Sequence, residues 1–120
     1  MAIKRLICPE RVRKVPAQFS WVDHRLVRER PIERCDVHAA ALYLFLVTVA
    51  DAQGLSYYSD TSVARRLSMD PSRLVRADLI RLRLVAYERP LYQVLALDAP
   101  APEDVRARLD QLRQLLGKVP

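Results

Sequence analysis

Side chains that could cut bonds, hold a metal or carry a chemical group are sparse in this sequence. The two cysteines and two histidines are Cys8, His24, Cys35 and His38. Only Cys35 and His38 stand at a chelating spacing, whereas a structural zinc site usually shows two such close pairs. Tyr57, Tyr58, Tyr87 and Tyr92 offer phenolic oxygens. A metal-assisted tyrosine nucleophile needs a His or carboxylate cluster beside it, and none is spaced for that role. Packing of amphipathic rings at strand edges accounts for these tyrosines. No Ser-His-Asp pattern stands out. Gly54 and Gly117 are the only glycines, too few for a loop that cradles phosphate. Neither a catalytic site, a metal nor a cofactor is expected.

What remains is arginine. Of 20 cations 17 are Arg, the others being Lys4, Lys14 and Lys118. The guanidinium fork matches phosphates and guanine edges. Arg-favouring codon usage would give the same excess, so placement says more than type. Residues 1–30 hold eight cations against three acids. Residues 31–64 hold Arg34 alone against Glu33, Asp36, Asp51 and Asp60. Residues 65–89 hold seven Arg against Asp70, Asp78 and Glu88, and residues 90–120 are balanced. The net charge of +6 therefore lies in an N-terminal arm and a central block, and it calls for a partner with negative charge.

The elements that must carry these side chains can be read from pattern. A chain of 120 residues, 51% hydrophobic, makes one domain with a core of its own, not a disordered tail or a disulfide-stapled toxin. The longest apolar stretch, Ala39–Val47, is well short of the ~20 residues that span a bilayer. Met1–Leu6 lacks the apolar run of a secretory signal, so a cytoplasmic protein with no membrane partner is expected. Residues 1–35 read as a basic arm, with a short strand at Ile3–Ile7 and a helical turn or two from Trp21 to Arg28. Asp36 caps a helix over Val37–Ala52 that is apolar nearly all round and so belongs at the centre of the core. Gly54 suits its C-terminus. A short strand, Leu55–Tyr58, leads to Ser59 or Asp60 as the cap of a second helix, Thr61–Leu67. Asp70-Pro71 opens a third helix reaching about Leu82. Leu84–Tyr87 and Tyr92–Leu97 form a hairpin. Ala99-Pro100-Ala101-Pro102 is a stiff linker to a last helix, Glu103–Leu116. Its stripe of Val105, Leu109, Leu112 and Leu116 offers a homodimer contact.

The order helix, strand, helix, turn, helix, hairpin resembles the winged helix-turn-helix fold over residues 36–98, with residues 99–120 as an appendage. The resemblance rests on Gly54-Leu55-Ser56-Tyr57-Tyr58-Ser59-Asp60 running into Val63-Ala64-Arg65-Arg66-Leu67. It continues through Ser68-Met69-Asp70 into Arg73–Leu82 and Leu84-Val85-Ala86-Tyr87. With its basic arm the chain is most similar to the N-terminal modules of plasmid replication initiators and mobile-element proteins. Arg83 departs from the pattern, standing where such domains often have Gly before the wing.

The resemblance implies a mainly α fold with a small β-hairpin, and duplex DNA as partner. On a helical wheel of the third helix, Val75, Leu79 and Leu82 fall with Ser72 on a packing side. Arg73, Arg76 and Arg83 fall opposite, with Ala77 and Ile80. Arg73 and Arg76 would reach base edges or nearby phosphates, and Ser72 and Arg83 belong to the same DNA-binding set. Arg65 and Arg66 would hold the backbone, and Arg89 at the hairpin tip would touch a minor groove or phosphate. Lys4, Arg5, Arg11, Arg13 and Lys14 would follow the adjacent groove. The rival expectation is a protein-interaction adaptor within a nucleoprotein complex, with Ala77 and Ile80 as docking patch.

Overall fold

The computed structural model describes residues 3–74, 76–98 and 110–116. Asp36 has extended backbone, and its Oδ1 accepts the Ala39 N–H at 2.8 Å. That cap starts the central helix (Val37–Val49), and Ala50 returns to extended backbone three residues short of the expected end. Four-residue turns of a first short helix, α1 (Arg25–Arg28), precede it, so the central helix is α2. Ala39, Leu42 and Leu46 of α2 are at most 1% exposed and form the middle of the core. The helix is nevertheless not enclosed on every face: Val37 is 81% and Leu44 62% exposed. An all-round apolar sequence thus marks two uses, a buried face and an open one.

Beyond α2 the chain turns on Asp51, whose Oδ1 accepts the N–H of Gln53 and of Leu55. Gly54 is therefore not the terminus of α2. It has φ +86°, and a Cβ there would lie 2.6 Å from the Val94 carbonyl oxygen. Only glycine lets β1 (Leu55–Tyr57) start this close to the neighbouring strand. Ser59 Oγ accepts the Ser62 N–H and caps α3 (Asp60–Arg66). Ser68 in left-handed backbone then ends α3, with Met69 N–H donating back to Ala64.

The third helix of the sequence reading is interrupted. Asp70 caps only a 3-10 turn, Pro71–Arg73, and Leu74 leaves it with extended ψ of 102° to pack on the core. A new helix, α4, runs Arg76–Arg81. Its wheel is thus out of phase with the preceding turn, and Ser72 is exposed rather than packed. Leu79 is fully buried.

Strands β2 (Val85–Glu88) and β3 (Leu91–Val94) form the hairpin, with Arg89-Pro90 at its tip. The sheet is antiparallel in the order β1-β3-β2, and Tyr92 pairs with Ser56 on one side and Tyr87 on the other. The result is a helical protein with a small three-stranded sheet. Leu84, Val85, Tyr92 and Val63 close the core over α2, joined by Leu26 from α1.

At the N-terminus the expected strand Ile3–Ile7 does not form. Residues 3–22 make one 3-10 turn, Pro9–Arg11, and otherwise run without a ladder partner. The helix expected from Trp21 begins only at Arg25, whose N–H donates to the Asp23 carboxylate at 2.9 Å. At the other end residues 110–116 are helical, whereas the linker, Val105 and Leu109 lie outside the described residues. No helix among the described residues is long and apolar enough to cross a membrane.

Candidate nucleic-acid interface

The first turn of α4 delivers Arg76 to a cluster built from three elements. Its Nη1 donates to the Tyr92 hydroxyl at 2.7 Å, and its Nη2 donates to Asp60 Oδ2 at 2.7 Å. The guanidinium also lies over the Tyr87 ring, 4.3 Å from the centroid. Tyr87 and Tyr92 themselves stack with centroids 4.6 Å apart, as their cross-strand register requires. One side chain therefore ties the start of α3, the start of α4 and the hairpin together. The hydrogen bond from Arg76 holds the Asp60 carboxyl below its ordinary range, aided by the charges of Arg76 and Arg89. The Asp60 partner correspondingly strengthens the hold of Arg76 on its proton. Burial pushes the Tyr92 phenol up, so its oxygen stays an un-ionised acceptor.

Arg76 is thus engaged within the protein, with its side chain only 21% exposed. This separates it from its expected companions. Arg73 sits exposed on the 3-10 turn, on a different element. Arg83 is exposed in left-handed backbone, φ +59°, at the residue after which Leu84 N–H donates back to Leu79. The single Arg face drawn on one continuous helix is replaced by side chains from three local geometries.

Among the described residues, the arginines in ion pairs are Arg25, Arg30, Arg76 and Arg81. Arg65 and Arg66 project exposed from the last turn of α3, and Arg89 from the hairpin tip. Together with Arg73 and Arg83 they make five exposed cations without an acidic partner. Capped or hydrogen-bonded turns hold the backbone under four of them. Ala77 and Ile80 are exposed on α4, Ile80 to 43%. Ser72 is exposed, and its N–H is taken by Asp70 at 2.9 Å. Lys4, Arg5, Arg11, Arg13 and Lys14 are all exposed along the arm. The arm also exposes large apolar residues between them, among them Ile7 at 90% and Val15 at 77%.

Sequence reasoning missed the Asp60–Arg76–Tyr92 cluster because each partner lies 16 residues from Arg76. The one available signal was Asp60 beside a serine that already serves as cap. Cys8 is exposed, and the Cys35 thiol points to the Pro31 carbonyl at 3.8 Å. No protein-family model, curated protein or solved structure matches this chain.

Proposed function

We propose that this chain is a winged-helix module that binds duplex DNA, reading sequence or local structure, as a transcriptional regulator or as an accessory factor of replication or of a mobile element. The observation that carries the proposal is the set of five exposed arginines with no ion pair among the described residues, Arg65, Arg66, Arg73, Arg83 and Arg89, on the elements around the Arg76 cluster. The sheet order β1-β3-β2, with β1 entering between α2 and α3, supports the winged-helix reading. In this reading Arg73 and Arg83 approach the groove, Arg65 and Arg66 contact phosphates, and Arg89 brings the hairpin tip to the backbone. Arg76 acts as a positioning residue that holds the hairpin at a fixed angle to α4.

The test is selection from random duplexes at two salt concentrations, followed by Arg73→Ala, Arg83→Ala and Arg89→Ala. Each lost phosphate contact lowers the salt slope of log affinity by about 1. A lost bidentate contact to guanine relaxes preference at one position by ~1–3 kcal/mol. Duplex binding that none of the three changes weakens sinks the assignment. A second reading, an adaptor within a nucleoprotein complex, draws on the exposed apolar residues of the arm. Salt-insensitive capture of a protein partner with no affinity for duplex would favour it.

A further inference from the structure

The open face of α2 forms one wall of an apolar groove of about 430 Å³. Val37, Ala41 and Leu44 line it from α2, Val22 and Leu26 from the α1 segment, and Leu84 from below. No charged side chain lines it among the described residues. Val37, Leu44 and Val22 are 81, 62 and 45% exposed, so the groove is uncovered within one chain. The same chain carries a second uncovered apolar surface. Leu112, Leu115 and Leu116, on the helical residues 110–116, are 54, 64 and 73% exposed. A ridge of leucines at helical spacing fits an uncharged groove with alanines in its wall, because small residues let a helix approach closely.

We infer that the groove receives residues 110–116 of a second copy of this chain, in a reciprocal, two-fold exchange. Two arguments favour the second copy over the chain's own helix. Every residue from 110 to 116 is exposed, so the ridge is not seated on its own domain. Moreover, one short helix covers too little surface for a stable contact, which needs roughly 1,000 Å² or more, whereas a two-fold exchange makes the same contact twice. The eleven residues 99–109 reach at most ~40 Å when extended, ample for a neighbouring copy. The inference stands on these apolar surfaces and is independent of DNA binding.

The experiment is sedimentation of the full chain, of Leu44→Glu, and of the double variant Leu112→Glu/Leu116→Glu, with far-UV circular dichroism to check folding. The unchanged chain is expected at twice its 13.8 kDa mass and each variant at half that value. An equimolar mixture of the two variants restores only one of the two contacts and is expected to associate more weakly than the unchanged chain. Val37→Glu, at a still more exposed position of the groove, replaces Leu44→Glu if the latter misfolds. A monomeric unchanged chain overturns the inference. So does a groove variant that remains dimeric, which would mean that the helices pair with each other, or a helix variant that remains dimeric.

Discussion

The N-terminal arm and the central block carry similar positive surpluses, yet they hold them in different ways. In the arm, Lys4, Arg5, Arg11, Arg13 and Lys14 lie along backbone that makes no ladder, interleaved with exposed Ile3, Ile7 and Val15. In the block, capped or hydrogen-bonded turns fix the backbone under most of the cations, and one cation, Arg76, is drawn inward to hold the others' elements in place. Formal charge counts both regions alike. What differs is the ordering entropy left to lose on binding: small for the block, large for the arm, which must be ordered by whatever it meets.

The sharpest way to break this comparison is to exchange the roles of Arg76 and Arg73. Arg76→Ala removes a hydrogen bond to Tyr92, an ion pair to Asp60 and a ring contact with Tyr87. The Asp60 side is half in water and is discounted accordingly. The expected loss is about 2 kcal/mol of stability by chemical denaturation, because the Tyr92 hydroxyl also loses its partner in the core. Arg73→Ala should stay within about 0.5 kcal/mol. If Arg76→Ala leaves stability unchanged and only lowers duplex affinity, Arg76 reads DNA and the contrast with its neighbours fails.

Arg83 sharpens the same comparison from the opposite direction. Its left-handed backbone is the position where helices that end in this motif use glycine. A non-glycine residue there costs roughly 1 kcal/mol or more, partly offset by the freedom that glycine adds to the unfolded chain. Arg83→Gly is expected to raise stability by about 0.5–1 kcal/mol in a denaturant titration while weakening duplex binding. A variant that binds as before would show that the side chain is tolerated at that strained position without serving DNA.

How much of this was legible beforehand depends on the range of the interaction. The caps Asp36, Ser59 and Asp70 were readable because a cap and its target N–H lie within three residues. The hairpin was readable for a similar reason, its two strands lying either side of a tight tip, whereas the strand before α3 was legible from its residue types alone, its partner β3 lying far along the chain. The break at Leu74 was not, since a helical wheel assumes one unbroken helix and Pro71 looks like an ordinary first turn. The missing strand at Ile3–Ile7 shows the converse: β-formers make no strand where no edge is offered. Arg76 was placed on the correct helix but given an outward role, because only the folded chain brings Asp60 and Tyr92 to it.

A second arginine tests whether such clamps matter elsewhere in the molecule. Arg25 pairs with Asp23 at 2.5 Å and with Asp98, joining α1 to the segment after β3. Its hydrogen bonds lower the Asp23 carboxyl to about 2 from an ordinary 3.8, and they lower Asp98 as well. A depressed carboxyl contributes stability that is complete above the unfolded value and disappears as pH falls through the folded one. The clamp is therefore whole above about pH 4 and lost as pH falls through about 2. Trp21, the one tryptophan, lines the same cavity as Asp23, Arg25 and Asp98. Its emission should shift over that interval, and Asp23→Asn at neutral pH should reproduce the acid spectrum. Because Asp98 is exposed, salt should weaken its part of the clamp and shrink the shift. Emission that is flat from pH 4 to well below 2, and equal in Asp23→Asn, would mean that the Arg25 clamp does not hold α1 to the sheet and that only the Arg76 cluster ties distant elements together.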